Sequence, residues 1–462
     1  MKPTHTKPKF SSFAFSAEIA NAIKDAGFEH PTAIQAQAMP AVLSGKDVLA
    51  RADTGSGKTA AFVLPLLSNL SNKSLYGNSG LESRLSNTER AHGNTVQILI
   101  LVPTRELAIQ IGDVFAQFAK DIRPPIKCQS VFGGVKINPQ MMALRGGADV
   151  LIATPGRLLD LIAQNAIKFN RLKVLVIDEV DRLMKGDFEE EIKQIRQHLP
   201  NKRQNLMFTA TFPDSIRTIV RQIMRSPTII DIDNANNNKK IGQRVITVNH
   251  NKKNALLASL LNENDWSQVL IFCSAKRTCD HLVRKLERHS IKAVATHGNK
   301  KQSERSQALS DFKSGTTRIL IATDVAARGI DIGDLPCIIN YDLPRSPNDY
   351  IHRIGRTGRA GQEGLAISLI AHHEYPHFKV IERHNDLDLE WEQVTGFEAD
   401  KVAPPPPTST SPKKLKKAKN KKKPSKKKRL AAKSADGEKI QQQESDKENS
   451  SAANTNVWGN SD

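Results

Sequence analysis

The stretch Ala52-Asp53-Thr54-Gly55-Ser56-Gly57-Lys58-Thr59 has the residue types needed to hold a chain of phosphates. Gly55 and Gly57 let backbone N–H groups curl round an anion, and the N-terminus of a following helix adds its dipole. In such a loop the lysine, Lys58, reaches the terminal phosphates and the hydroxyl, Thr59, binds magnesium. The stretch is nearly the general phosphate-loop pattern, with Ala52 where the first glycine usually stands. Farther on, Lys173-Val-Leu-Val-Ile-Asp-Glu-Val-Asp181 ends an apolar run in three carboxylates. Asp178 suits magnesium coordination, largely through water. Glu179 suits a general base that polarises the attacking water. The two stretches together spell hydrolysis of a nucleoside triphosphate.

Both stretches need a scaffold that brings them together. The short strand Asp47–Arg51 feeds the glycine loop, and a helix is expected from Thr59. Apolar, β-branched runs at 96–102, 174–177, 269–272 and 319–322 alternate with helical patterns. Continuous apolar strands separated by helices imply parallel sheets covered on both faces, an α/β fold. In such sheets ligands gather at the carboxyl ends of the strands, where Asp178 and Glu179 would arrive. The polar stretch Asp233–Lys240 interrupts the pattern once. It divides the chain into a first domain at 1–230, a linker at 231–242 and a second domain at 243–395. Residues 71–95 read as a polar loop inserted between a helix and a strand. From Pro404 the composition is Pro-rich, then Lys-rich, then polar, and such a 404–462 tail is expected to be disordered.

The formal charge is +20, and Lys413–Arg429 alone holds 12 Lys or Arg in 17 residues with no acid. A polyanion partner is the natural reading, through release of counterions from phosphates. A solubilising tail and a nuclear-import signal are rival readings of the same run. No apolar run is long enough for a membrane span. The opening residues lack the apolar stretch of a signal peptide, and the four cysteines lack paired metal-ligand spacing, so a reducing, cytoplasmic setting is expected. His373-Glu-Tyr-Pro-His377 matches the zinc-protease spacing H-E-x-x-H. Pro376 breaks the continuous helix that this chemistry requires, so zinc is not expected here.

Further motifs complete a resemblance to the DEAD-box ATP-dependent RNA helicases, in particular the bacterial RhlE-like group, over residues 10 to about 395. Asp178-Glu-Val-Asp181 resembles the family's namesake box with Val180 for Ala. Gly27–Gln35 resembles the Q motif, with Phe10 as its upstream aromatic. Pro103-Thr-Arg-Glu-Leu-Ala108, Gly133-Gly134 and Thr154-Pro-Gly-Arg157 resemble the first-domain RNA motifs, and Thr209-Ala-Thr211 the Ser-Ala-Thr element. Ile271–Ser274, Thr296–Gly298 with Gln302 and Arg305, Ala322–Asp331 and His352–Arg359 resemble the second-domain set.

The resemblance implies two tandem RecA-like domains that bind ATP and Mg2+ and remodel RNA. It implies adenine recognition by Gln35 and Phe10, nucleotide contact from Asp331, and charge stabilisation by Arg356 and Arg359 as arginine fingers. RNA contacts fall to Pro103, Thr104, Arg105, Gly134, Thr154, Gly156, Arg157, Thr323 and Arg328. Asp181, Thr209, Thr211 and His352 would couple nucleotide state to unwinding. RNA of low sequence specificity is the implied partner, with ribosomal particles or RNA-decay proteins as usual settings. Asp53 replaces a usual Gln and adds a negative charge beside the phosphates; Ala33 and Val180 remove no reactive group. RNA rather than DNA rests on the resemblance alone. A DNA helicase and an ATP-gated RNA clamp without turnover remain the competing readings.

Overall fold

The apolar runs become strands whose alternate residues face opposite sides. The computed structural model describes residues 8–53, 55–71, 93–184, 188–211, 220, 222–232, 241–327, 335–358 and 364–400. In the first half these are β1 (Val48–Arg51), β2 (Val96–Leu101), β3 (Cys128–Val131), β4 (Ala148–Ala153), β5 (Val174–Ile177), β6 (Gln204–Thr209) and β7 (Thr228–Asp231). They form one sheet in the order β3-β4-β2-β5-β6-β1-β7, every pairing parallel. Ile98, Ile100, Val174 and Val176 pack into one apolar cluster with the helices Ala33–Leu43, Lys58–Ser71 and Arg105–Ala119. Leu99, Leu101, Leu175 and Ile177 pack into a second cluster on the other face. Each such side chain, fully buried, contributes roughly 1.5–3 kcal/mol.

The second half repeats the plan. Here β8 (Ile241–Thr247), β9 (Val269–Cys273), β10 (Val294–Thr296), β11 (Ile319–Thr323), β12 (Cys337–Asn340), β13 (Gly364–Ile370) and β14 (Trp391–Glu392) pair in the order β10-β11-β9-β12-β13-β8-β14. All of these pairings are parallel too. Both sheets lie within one compact unit, Met1–Ala403. The architecture is the expected pair of α/β domains.

Several boundaries shift. Asp231, Ile241 and Gly242 are strand residues rather than linker, because β7 and β8 extend the apolar pattern to the edge of the polar stretch. The second domain continues past 395: Phe397 packs on its core, and the Asp400 N–H donates to Asn249 Oδ1 (3.2 Å). Asp47 stands just outside β1, where its carboxylate accepts from the Asn205 and Arg225 backbone N–H groups. Of the expected insertion, Ser71 ends a helix and Thr95 bridges to Lys168; residues 72–92 lie outside the described residues, as does the tail 404–462.

The H-E-x-x-H segment does not form one α-helix. His373 sits in a single 3-10 turn, His372–Glu374, and the α-helix begins at Tyr375 with Pro376 in its first turn. The His373 ring meets His250 edge-on, while His377 Nε2 lies 2.7 Å from the Pro344 carbonyl oxygen.

Candidate active site

The order β5-β6-β1 brings three strand ends side by side. Arg51 pairs with Thr209 and Ile177 with Met207, so Ala52, Asp178 and Thr209–Thr211 emerge at one edge. The Ala52 N–H donates to the Thr209 carbonyl (3.1 Å), and the Asp178 N–H to that of Leu101 (3.0 Å). The sheet register therefore assembles the phosphate loop against the carboxylates.

The loop turns through Gly55 (φ 80°) and Gly57 (φ 93°), backbone that a side chain would strain. A Cβ on Gly57 would sit 2.5 Å from Gln35 Nε2. Lys58, buried at the start of its helix, donates to the carbonyls of Ala52 (2.6 Å) and Asp53 (2.8 Å). Burial pulls its ammonium below the usual lysine range, against the opposing pull of Asp178, Glu179, Asp181 and Asp53. Ser56 Oγ also donates to the Asp53 carbonyl (2.7 Å). Thr59 follows on the first turn of the helix, and Thr54 lies outside the described residues.

Gln35 is buried and joins two elements. Its Oε1 accepts from the Thr32 N–H in a capping box, and its Nε2 donates to the Gly57 carbonyl (3.2 Å). Both ends of the amide expected to meet adenine are thus engaged with the protein. Phe10 is buried in an aromatic cluster, stacked on Phe28 at 6.2 Å.

Burial pushes the Asp178 carboxyl up to about 7, with Lys58 opposing the rise and Glu179 adding to it. A buried carboxylate and a hydroxyl on the residue after Lys58 are the hard-oxygen donors that magnesium takes with phosphate and water oxygens, so the chemistry of Asp178 and Thr59 fits that ion. Among the described residues no cluster of three or more His, Cys, Asp or Glu offers an all-protein metal site. Glu179 occupies the left-handed region (φ 52°, ψ 50°), a strain of order 1 kcal/mol for a residue with a Cβ. Its Oε2 accepts from Arg182 Nη1 (2.8 Å).

The four coupling residues come together. Thr209 Oγ1 donates to the Thr211 carbonyl (2.6 Å), and Thr211 Oγ1 to Asp181 Oδ2 (2.9 Å). His352 Nε2, from the second domain, lies 3.6 Å from the same oxygen. Burial opposes ionisation of Asp181, but His352, Thr211 and Arg182 hold its carboxyl well below the usual range. Arg356, two residues past the helix Pro347–Ile354 that carries His352, is buried. Arg328, Asp331 and Arg359 lie outside the described residues.

The expected RNA residues divide. Thr104 caps the helix Arg105–Ala119, accepting from the Leu107 N–H (3.3 Å). Arg105 lies against Gly134, where an added Cβ would stand 2.7 Å from Arg105 Nη2. Thr154 and Gly156 flank the start of the helix Pro155–Ala163, Pro103 follows β2, and Thr323 ends β11. Arg157 is different. Its guanidinium is committed to Gln140 Oε1 (2.7 Å), the Val135 carbonyl (2.8 Å) and Asp160 (3.3 Å), so it ties its own helix to the segment 135–140.

Gln302 and Arg305, of the second-domain motif set, contact the first domain. Arg105 Nη1 donates to Gln302 Oε1 (3.1 Å), and Arg305 Nη2 pairs with Glu106 Oε1. That ion pair is 3% and 7% exposed. A second buried arginine, Arg353, grips Asp324 through Nε (2.6 Å) and Nη2 (2.8 Å) and holds Asn340 through Nη1. No local spacing announces Glu106, Asp324 or Arg353 as partners; only their place inside otherwise recognisable motifs hints at a role.

The DEAD/DEAH box helicase family profile matches residues 32–219, and the helicase conserved C-terminal domain profile matches 252–361. DEAD-box ATP-dependent RNA helicase 20 of Arabidopsis thaliana is 38% identical over 77% of this chain and 69% of its own length. ATP-dependent RNA helicase DeaD of Buchnera aphidicola is 37% identical over 84% and 61%. A structure of S. cerevisiae Dbp5 bound to RNA and ADP BeF3 is 28% identical with a TM-score of 0.68, covering 84% of this chain and 95% of that one. The chain spans 59% of the length of other curated relatives that it matches, such as DEAD-box ATP-dependent RNA helicase 14 of Arabidopsis thaliana. With a helicase profile matched in each half, in order, and a relative 38% identical over 69% of its own length, this chain belongs to the DEAD-box family of helicases.

Proposed function

We propose that the chain is an RNA-dependent ATPase that uses domain closure to remodel RNA locally. One observation carries this reading: Asp181, three residues from Asp178 and two from Glu179, is approached by His352 of the second domain. Groups that handle phosphate and groups that sense the second domain are therefore one cluster.

The residues take these roles in that reading. Lys58 exchanges its two carbonyl partners for phosphate oxygens at the turn through Gly55 and Gly57. Asp178 and Thr59 would hold magnesium, which would neutralise charge on the phosphates. Glu179 takes the proton of the attacking water. Arg356 and Arg359 bring positive charge from the second domain, and Asp331 contacts the nucleotide. Hydrolysis then requires both domains. RNA lying along Thr104, Arg105, Gly134 and Thr154 of the first domain and Thr323 and Arg328 of the second favours the same closed state, so ATP and RNA strengthen each other's binding. Gln35 and Phe10 serve nucleotide recognition by linking the adenine side to Gly57.

The finer assignments are RNA as polymer, the RhlE-like group, a cytoplasmic setting and ribosome assembly or RNA decay as context. The resemblance to bacterial helicases supports them. Strand separation tests the core of the reading. Short RNA duplexes should separate with ATP and Mg2+, and a DNA duplex of the same sequence should not. Separation of both at equal rates, or of neither, would overturn it.

A further inference from the structure

Arg182 links the two domains through the residue assigned to water activation. It lies one turn beyond Glu179, and its Nη1 donates to Glu179 Oε2 (2.8 Å). Its Nη2 stands 3.9 Å from Asp349 Oδ1, on the second-domain helix that also carries His352 and Arg353. Its Nε is buried and has no hydrogen-bond acceptor among the described residues. The Nε–Nη2 edge is the edge that a carboxylate grips with two parallel bonds. One donor of the guanidinium, Nη1, is thus committed to Glu179, and Nη2 on the other edge is ion-paired with Asp349 across the domains.

We propose that Asp349, Arg182 and Glu179 form a positioning chain that orients the general base only when the second domain is docked. A base held by a third group in a fixed orientation is the arrangement that water activation needs. Arg182 holds one carboxylate oxygen of Glu179 and leaves the other for the water proton. Asp349, through its ion pair with Nη2, fixes the guanidinium and with it the left-handed Glu179. The chain reports docking to the reacting centre by a route separate from the Glu106–Arg305 pair. This rests on the assignment of Glu179 as general base.

The test is steady-state ATP hydrolysis by the full chain at saturating RNA, beside RNA binding in the presence of a non-hydrolysable ATP analogue. Asp349→Asn should lower kcat about tenfold, the worth of one charge-assisted hydrogen bond, with KM for ATP and analogue-dependent RNA affinity changed less than about twofold. Arg182→Gln should lower kcat at least as far, and adding Asp349→Asn to it should cost nothing more. Arg182→Lys keeps the charge without the fork and should recover only part of the loss. Equal losses from Asp349→Asn in both backgrounds would overturn the chain, as would a loss of RNA affinity matching the loss of kcat, which marks a plain interface contact. Glu179→Gln separates the two layers. Retained turnover there removes the general-base assignment and the chain with it, whereas lost turnover without the coupling removes the chain alone.

Discussion

Replacing Glu106 by Gln should uncouple ATP binding from RNA binding. Arg305 and Glu106 form an ion pair between the domains with side chains only 3% and 7% exposed, so solvent screens it little. Burial raises the Glu106 carboxyl above its usual range, and Arg305 opposes that rise, so the pair is held in balance. Removing one partner of a buried pair leaves the other charge desolvated and uncompensated, a cost of about 3–5 kcal/mol. Because Gln still offers an oxygen to Arg305, we expect the lower end, ~3 kcal/mol against the closed state, or roughly a hundredfold in its population. The assay is RNA affinity by fluorescence anisotropy with and without a non-hydrolysable ATP analogue. In the wild type the analogue should tighten RNA binding; in Glu106→Gln that ratio should collapse toward one while analogue-free affinity holds. A double Glu106→Ala/Arg305→Ala chain should lose much less than the two single changes added together. An unchanged ratio, or additive losses, would refute the reasoning that this pair stabilises closure.

Three other outcomes follow. Gly57→Ala places a Cβ 2.5 Å from Gln35 Nε2 at a φ of +93°; strain of order 1–3 kcal/mol should weaken ATP binding tenfold or more by calorimetry. The Asp178 carboxyl, raised from 3.8 to about 7, keeps its proton to higher pH folded than unfolded. Its contribution to stability is therefore full below the unfolded pKa and lost as pH rises through the folded one. Asp178→Asn should melt above the nucleotide-free wild type, the gap widening by about 2–3 kcal/mol between about pH 5 and about pH 8. Deleting residues 404–462, with the 12 cations of Lys413–Arg429, should flatten the salt dependence of RNA binding by about 0.7 in log–log slope for each phosphate that the tail no longer neutralises. Turnover at saturating RNA should stay nearly intact.

The parts of the site that are legible in the sequence are those made by contiguous residues. Gly55, Gly57, Lys58 and Thr59 announce a phosphate loop because each is needed for a separate local reason, and Asp178 and Glu179 announce themselves by ending an apolar strand. The parallel sheets follow from apolar runs alternating with helices. What stays hidden depends on contacts between distant segments. Arg105 and Gln302 are 197 positions apart, and nothing near either residue specifies that they meet. The same holds for Glu106 with Arg305 and for Arg182 with Asp349. The partners of Arg157 are hidden for a related reason: the motif names the arginine, and only the fold brings Gln140 and the Val135 carbonyl to it. The strand edges at Asp231 and Ile241 escape the reading because β7 and β8 run right up to the polar stretch 233–240, and composition does not mark where the ladder stops.

The central claim is that one ATP site needs both domains and that RNA brings them together. Steady-state ATP hydrolysis without nucleic acid, with single-stranded RNA and with single-stranded DNA, beside Glu179→Gln, tests it most directly. Turnover should be low alone, strongly stimulated by RNA, unmoved by DNA and abolished by Glu179→Gln. Turnover equal in all three conditions, or absent with RNA, would contradict it.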